Sequence, residues 1–169
     1  LRSSTLTNAN LSNAYLPSST LTNANLSWAN LSNAYLPSST LTNANFSGAI
    51  VKGAGLSNTT SWGFTRAQLE STASYQARDL SGIRLDGIDL RSANFAGFNL
   101  TESFLGQLLS GADFTGAHMQ GAAFTNVGSS GLAAAQLYST ASYQARDLQG
   151  VIFEGYLSGW NFEGQNLSN

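Results

Sequence analysis

Large apolar residues fall at every fifth position over the first third of the chain: Leu1, Leu6, Leu11, Leu16, Leu21, Leu26, Leu31, Leu36, Leu41, Phe46, Val51 and Leu56. From Leu6 onward a small residue stands two places before each one, as Ser4, Ala9, Ala14, Ser19 and Ala24 do. The other positions are mostly Asn, Ser, Thr, Tyr or Gly, residues suited to turns. A period of five matches neither the roughly 3.6 of a helix nor the alternation of a free strand. It predicts a chain that turns a corner every five residues.

If each five-residue unit is one side of a square, four units close a coil and bring the chain back above its start. The decapeptide LSNAYLPSST occurs at 11–20 and again at 31–40, the twenty-residue interval this coil requires. The large residue and the small one two earlier then point inward together, as alternate residues of an extended segment do. The predicted core is Leu11, Leu16, Leu21, Leu26, Leu31, Leu36, Leu41, Phe46, Leu85, Leu90, Phe95, Leu100, Phe114, Phe124, Phe162 and Leu167. Outside, residues twenty apart form ladders about 4.8 Å per rung, with Tyr15 by Tyr35, Thr20 by Thr40 and Asn25 by Asn45 as candidates.

The frame is regular over 1–58, 80–124 and 148–169, with excursions at about 59–79 and 125–147. One residue is lost near Gly106 to Leu108, and another after Phe153. TRAQLESTASY in the first excursion predicts a short helix or an ordered loop, with Thr65 as the candidate N-cap. STASYQARDL is identical at 71–80 and 139–148, so a 68-residue repeat overlies the short one. Larger residues, Ile83, Ile88, Phe98 and Trp160, take the small inner slot in the later segments, which predicts a wider coil at the Ile pair.

ANLSN, ANLSW, AYLPS and ANFSG resemble the A(N/D)LXX unit of the pentapeptide-repeat family. The resemblance implies an all-β fold, a right-handed quadrilateral β-helix in a single unit over 1–169, with two short helical or loop excursions. STASYQARDL together with GWNFEGQNL is similar to long, mostly uncharacterised bacterial members, many of them exported. That resemblance implies a secreted or cell-surface location.

Composition and charge then exclude several functions. Only 9% of residues are charged, the net charge is -2, and no basic stripe is available to neutralise phosphates, so nucleic acid is not an expected partner. With no cysteine, there is neither a disulfide framework nor a thiolate metal site. No apolar run is long enough to span a bilayer. His118, the single histidine, takes an outward slot with no nucleophile in view. Asp86 and Asp89 stand among Arg84 and Arg91, which predicts surface ion pairs rather than acid and base. Neither a phosphate loop nor a calcium repeat is present, and no cofactor is expected. Seven N-x-[ST] sequons, at Asn10, Asn25, Asn30, Asn45, Asn58, Asn99 and Asn166, follow from writing Asn, Leu and Ser in consecutive repeat slots.

The leading reading is a non-enzymatic structural or protein-interaction rod, because solenoids bind through extended surfaces. The pattern is already running at Leu1 and still running at Asn169, which implies a longer natural chain or rods that join end to end into extracellular fibres. The alternative, implied by the family resemblance, is a DNA-mimicking protein that binds type II topoisomerases. Such mimicry needs a dense acidic face, and residues 3–69 contain no Asp or Glu.

Overall fold

The computed structural model describes residues 1–106, 108–128 and 131–169. Most five-residue units begin with an inward apolar residue whose carbonyl accepts the N–H three residues on, as in Ala24 N–H to Leu21 O at 2.9 Å and Ala34 N–H to Leu31 O at 2.9 Å. The third residue of these turns has positive φ, 58° at Asn23 and 57° at Asn33, which is what a type II turn demands there. Asn and Gly tolerate that backbone best, and the repeat supplies them at this position.

The outward residue pairs in parallel with the residue twenty on: Asn25 N–H donates to Ser4 O at 2.9 Å, and Leu6 N–H donates to Asn25 O at 2.7 Å. Each outward Asn or Asp also holds the next corner. Asn25 Oδ1 accepts the Ser27 N–H at 3.1 Å, Asn30 Oδ1 that of Ser32 at 3.0 Å, and Asn45 Oδ1 that of Ser47 at 3.0 Å. Asp113 and Asn166 do the same for Thr115 and Ser168. This Asx bond explains why the repeat wants Asn or Asp before its core residue. It also gives the sequons a structural reason to recur.

Among the described residues three stretches are regular strands: β1 (Phe104–Leu105), β2 (Ala123–Val127) and β3 (Ile152–Gly155), forming one parallel sheet in the order β1-β2-β3. The helices are equally short: α1 (Arg66–Glu70), α2 (Ala73–Gln76), α3 (Ala134–Tyr138) and α4 (Ala141–Gln144), with a 3-10 turn at Thr60–Trp62. The rest of the parallel ladder consists of single bridges, one per side.

The excursions stay in the wall of the coil. Gly55 bridges Arg84 and Phe124 pairs with Phe153, both twenty-nine residues on, so each excursion adds nine residues to a coil and returns the chain in register. Phe64, Leu69, Leu132 and Leu137 from these segments are buried in the core. A glutamine fastens each one. Gln68 Nε2 donates to Leu41 O and Ala44 O at 2.9 and 2.8 Å, and Gln136 Nε2 donates to Leu109 O and Ala112 O at 3.0 and 2.7 Å. Thr65 caps α1, its side chain accepting the Gln68 N–H. Residues 129 and 130 of the second excursion lie outside the described residues, as does residue 107 in the frame loss. Across that loss the pairing interval is nineteen, Asn94 to Asp113 and Asn99 to His118.

Leu21, Leu26, Leu31, Leu36, Leu41, Phe46, Leu85, Leu90, Phe95, Leu100, Phe114 and Phe124 are buried. Leu11, Leu16 and Phe162 are half-buried against the core. Leu167 departs from the expected core: it is 49% exposed, because the last coil has a neighbour on one side only. Ile83, Ile88 and Phe98 all point inward, and Phe98 packs edge-on to Tyr75 of α2 at 4.8 Å. Trp160 is half-buried, 6.0 Å from Phe153 and 6.2 Å from Phe162.

Candidate interaction face

The sides of the coil differ in what they show to solvent. One carries Thr5, Asn25 and Asn45, with Asn45 Nδ2 donating to Asn25 Oδ1 at 3.3 Å. The next runs through Asn10, Asn30 and Ile50 and resumes with Asp79, Asn99 and His118, then Asp147 and Asn166. Thr20 pairs with Thr40 on a further side. These outward positions are overwhelmingly amides, carboxylates and hydroxyls.

The remaining side is different and unbroken. Tyr15, Tyr35, Gly55, Arg84, Phe104, Ala123 and Ile152 are linked rung to rung by parallel pairing. Tyr15 stacks on Tyr35 with ring centroids 5.5 Å apart and planes 13° from parallel. The Tyr35 ring leans against Gly55, where a Cβ would stand 3.1 Å from Cδ2. Farther along, the Arg84 guanidinium sits over the Phe104 ring, 4.5 Å from its centroid. Tyr15 is 75% exposed, Tyr35 45% and Ile152 51%. Sequence reasoning found only the first two rungs. The nine-residue insertions and the lost residue carry the later rungs off multiples of twenty.

Below the aromatic stack lies a groove of about 390 Å³, lined by Asn58, Asp86, Gly87, Phe104, Gly106, Thr125, Asn126 and Glu154. Ser57 Oγ donates to Asp86 Oδ1 at its edge. A larger groove, about 580 Å³, runs beside α1 over Phe64 and Ile88. Its rim charges are already paired: Arg66 with Glu70 at 3.2 Å and Arg91 with Asp89 at 2.6 Å, and Arg66 Nη1 also donates to Arg91 O. Hydrogen bonds from Arg91 pull the Asp89 carboxyl down to about 2. Of the expected ion-pair cluster, Asp89 and Arg91 do meet, whereas Arg84 turns to Phe104 and Asp86 to Ser57. Asp79 meets Lys52 at 2.9 Å; partial burial raises its pKa, but the bonds from Lys52 and Ser81 outweigh that and leave it below the usual range.

His118 is exposed on the amide side. Among the described residues no group of three or more His, Asp or Glu could hold a metal ion, and no helix is long and apolar enough to cross a membrane.

Comparison with solved structures places pentapeptide-repeat proteins beside this chain. HetL, a pentapeptide-repeat protein involved in heterocyst differentiation regulation from the cyanobacterium Nostoc sp. strain PCC 7120, is 27% identical over 72% of this chain, with a TM-score of 0.28. The chain spans 60% of the length of HetL. QnrB1, a plasmid-mediated fluoroquinolone resistance protein, is 15% identical over 91% of this chain and 81% of its own, with a TM-score of 0.31. Rfr23 from the cyanobacterium Cyanothece 51142 is 22% identical over 83% of this chain and 60% of its own, with a TM-score of 0.18. No curated protein matches the sequence. Eight copies of the unit described as pentapeptide repeats are matched at residues 1–33, 24–60 and 108–127, so the chain carries pentapeptide repeats in stretches that form its five-residue turns and parallel ladder.

Proposed function

We propose that this protein is a non-enzymatic interaction rod, a right-handed quadrilateral β-helix that docks another protein on its Tyr15 to Ile152 face. One observation carries the reading: Tyr15, Tyr35, Arg84, Phe104 and Ile152 line up rung to rung on a single side with the two tyrosines stacked, whereas the exposed Trp28, Ile50 and Trp62 stand outside that ladder. Exposed aromatic and apolar side chains gathered on one surface are the mark of an interaction site, with aromatics and Arg enriched at its centre. Solenoids bind through such extended faces. A DNA-mimicking role has less support, since Asp79 and Asp89 are neutralised by Lys52 and Arg91 and the first acidic residue is Glu70.

A photo-crosslinking amino acid placed at Tyr35 or Phe104, and in parallel at Asn25 or Asn94, tests the reading in an extract of the source cells. Discrete protein adducts from the first pair alone are expected. Equal adducts from both pairs, or none from the first, overturn it. Joining of rods into fibres, extracellular or at the cell surface, is the extension of this reading. Electron microscopy of the intact protein over a concentration series tests it, and compact single particles throughout would reject it.

A further inference from the structure

The interaction reading leaves open what chemistry the partner brings, and the groove on the same face answers it. We infer that the groove between Asp86 and Glu154 takes an arginine-bearing segment of the partner protein; this rests on the proposed docking face.

Three ion pairs occur among the described residues, Lys52 with Asp79, Arg66 with Glu70 and Arg91 with Asp89, and none involves Asp86 or Glu154. The contrast with the groove beside α1 is direct. There two cations and two anions cancel, so a charged partner gains nothing by displacing them. In the groove on the docking face the two lining carboxylates meet no lining cation. Arg84, the nearest rung with positive charge, is held over the Phe104 ring.

The groove already shows which cation it suits. A guanidinium packs on an aromatic face and forks onto a carboxylate, and Phe104 lies here between the two acids as a lining residue. The Arg84 guanidinium, 4.5 Å from the Phe104 centroid, is an example of that contact within the chain. Asp86 accepts the Ser57 hydroxyl through Oδ1, which fixes the carboxylate and leaves Oδ2 for a donor from outside. Glu154 is exposed at the groove. The uncharged upper half, with Tyr15 and Tyr35 exposed, supplies apolar contact, and the lower half supplies the charge that steers and orients the partner.

The test uses fluorescein-labelled peptides of alternating Gly and Arg, with Lys, Ser and Glu versions for comparison, and the intact protein, read by fluorescence anisotropy at about 50 mM and about 300 mM salt. The Arg peptide is expected to bind, the Lys peptide more weakly, and the Ser and Glu peptides not to saturate. Asp86→Asn combined with Glu154→Gln should weaken the Arg peptide by about tenfold or more. Asp113→Asn combined with Glu163→Gln changes the net charge equally on other faces, and should leave affinity within about twofold. Circular dichroism of both double variants confirms that the coil is intact. Equal losses from the two pairs, or no binding of the Arg peptide, overturn the inference. Binding of the Ser or Glu peptide that is lost on Tyr35→Ser would also overturn it while leaving the docking face standing, and the crosslinking result judges that face separately.

Discussion

The Trp28 indole occupies the space above Gly48: a Cβ at residue 48 would lie 2.5 Å from Trp28 Cε3. Both residues sit at a corner in the left-handed region, with φ of 59° at Trp28 and 70° at Gly48. A bulky side chain seldom adopts that backbone, and here it is tolerated because the corner of the next coil carries no side chain.

Gly48→Ala should therefore destabilise the protein by about 2 to 4 kcal/mol, from the left-handed backbone and the displaced ring together. Replacing Trp28 by Asn first should remove much of that cost, since Asn23 and Asn43 already stack corner on corner in the coil with φ of 58° and 55°. Urea denaturation of the two single variants and the double variant gives the coupling directly, and additive effects would reject the relationship.

Two serines in the small inner slot should respond in opposite ways. Ser39 Oγ donates to Leu16 O at 2.6 Å and accepts the Ser19 N–H at 3.0 Å, so Ser39→Ala should cost about 1 to 3 kcal/mol. Ser103 Oγ is buried with no partner among the described residues, where the adjacent coils place the apolar Ile83 and Ala122, so Ser103→Ala should stabilise by about 1 kcal/mol. Shifts of the same sign in thermal midpoint would contradict this account.

The two copies of the helical corner differ at their caps. Thr65 Oγ1 accepts the Gln68 N–H at 3.2 Å, whereas Ala133, with extended φ of -91° and ψ of 154°, offers no side-chain acceptor to α3. Ala133→Thr should add about 1 kcal/mol of stability, and Thr65→Ala should remove a similar amount. Equilibrium unfolding of the two variants measures both.

Acid should weaken the corner held by Asp89. Its carboxyl is depressed to about 2 by hydrogen bonds from Arg91, so its contribution is present above the ordinary carboxylate pKa and fades as pH falls from about 4 toward about 2. Carbon-detected NMR titration should place Asp89 near the low value and move it upward in Arg91→Gln. An unmoved titration would show that another group holds it.

The sharpest limit on reading this chain as a string appears at Arg84. Tyr15 and Tyr35 stand twenty apart, and strict counting from them reaches Gly55 and then stops in the first excursion. Arg84 and Phe104 belong to the same ladder only because α1 and α2 add nine residues and rejoin in register. No local propensity encodes that interval. It is set by Gln68 bridging back to Leu41 and Ala44 and by the burial of Phe64 and Leu69.

What the sequence determined by itself is the repeating unit: a turn every five residues, an inward pair of large and small side chains, and Asn where a corner needs an acceptor. These are local requirements of backbone and volume, so they are written into each unit and can be read from any one of them. What only the tertiary structure decided is which outward residues share a face, that the excursions belong to the wall, and that Asp86 and Glu154 line one groove. Those follow from how successive coils register through hydrogen bonds between residues nineteen, twenty and twenty-nine apart, an interval that no single unit contains.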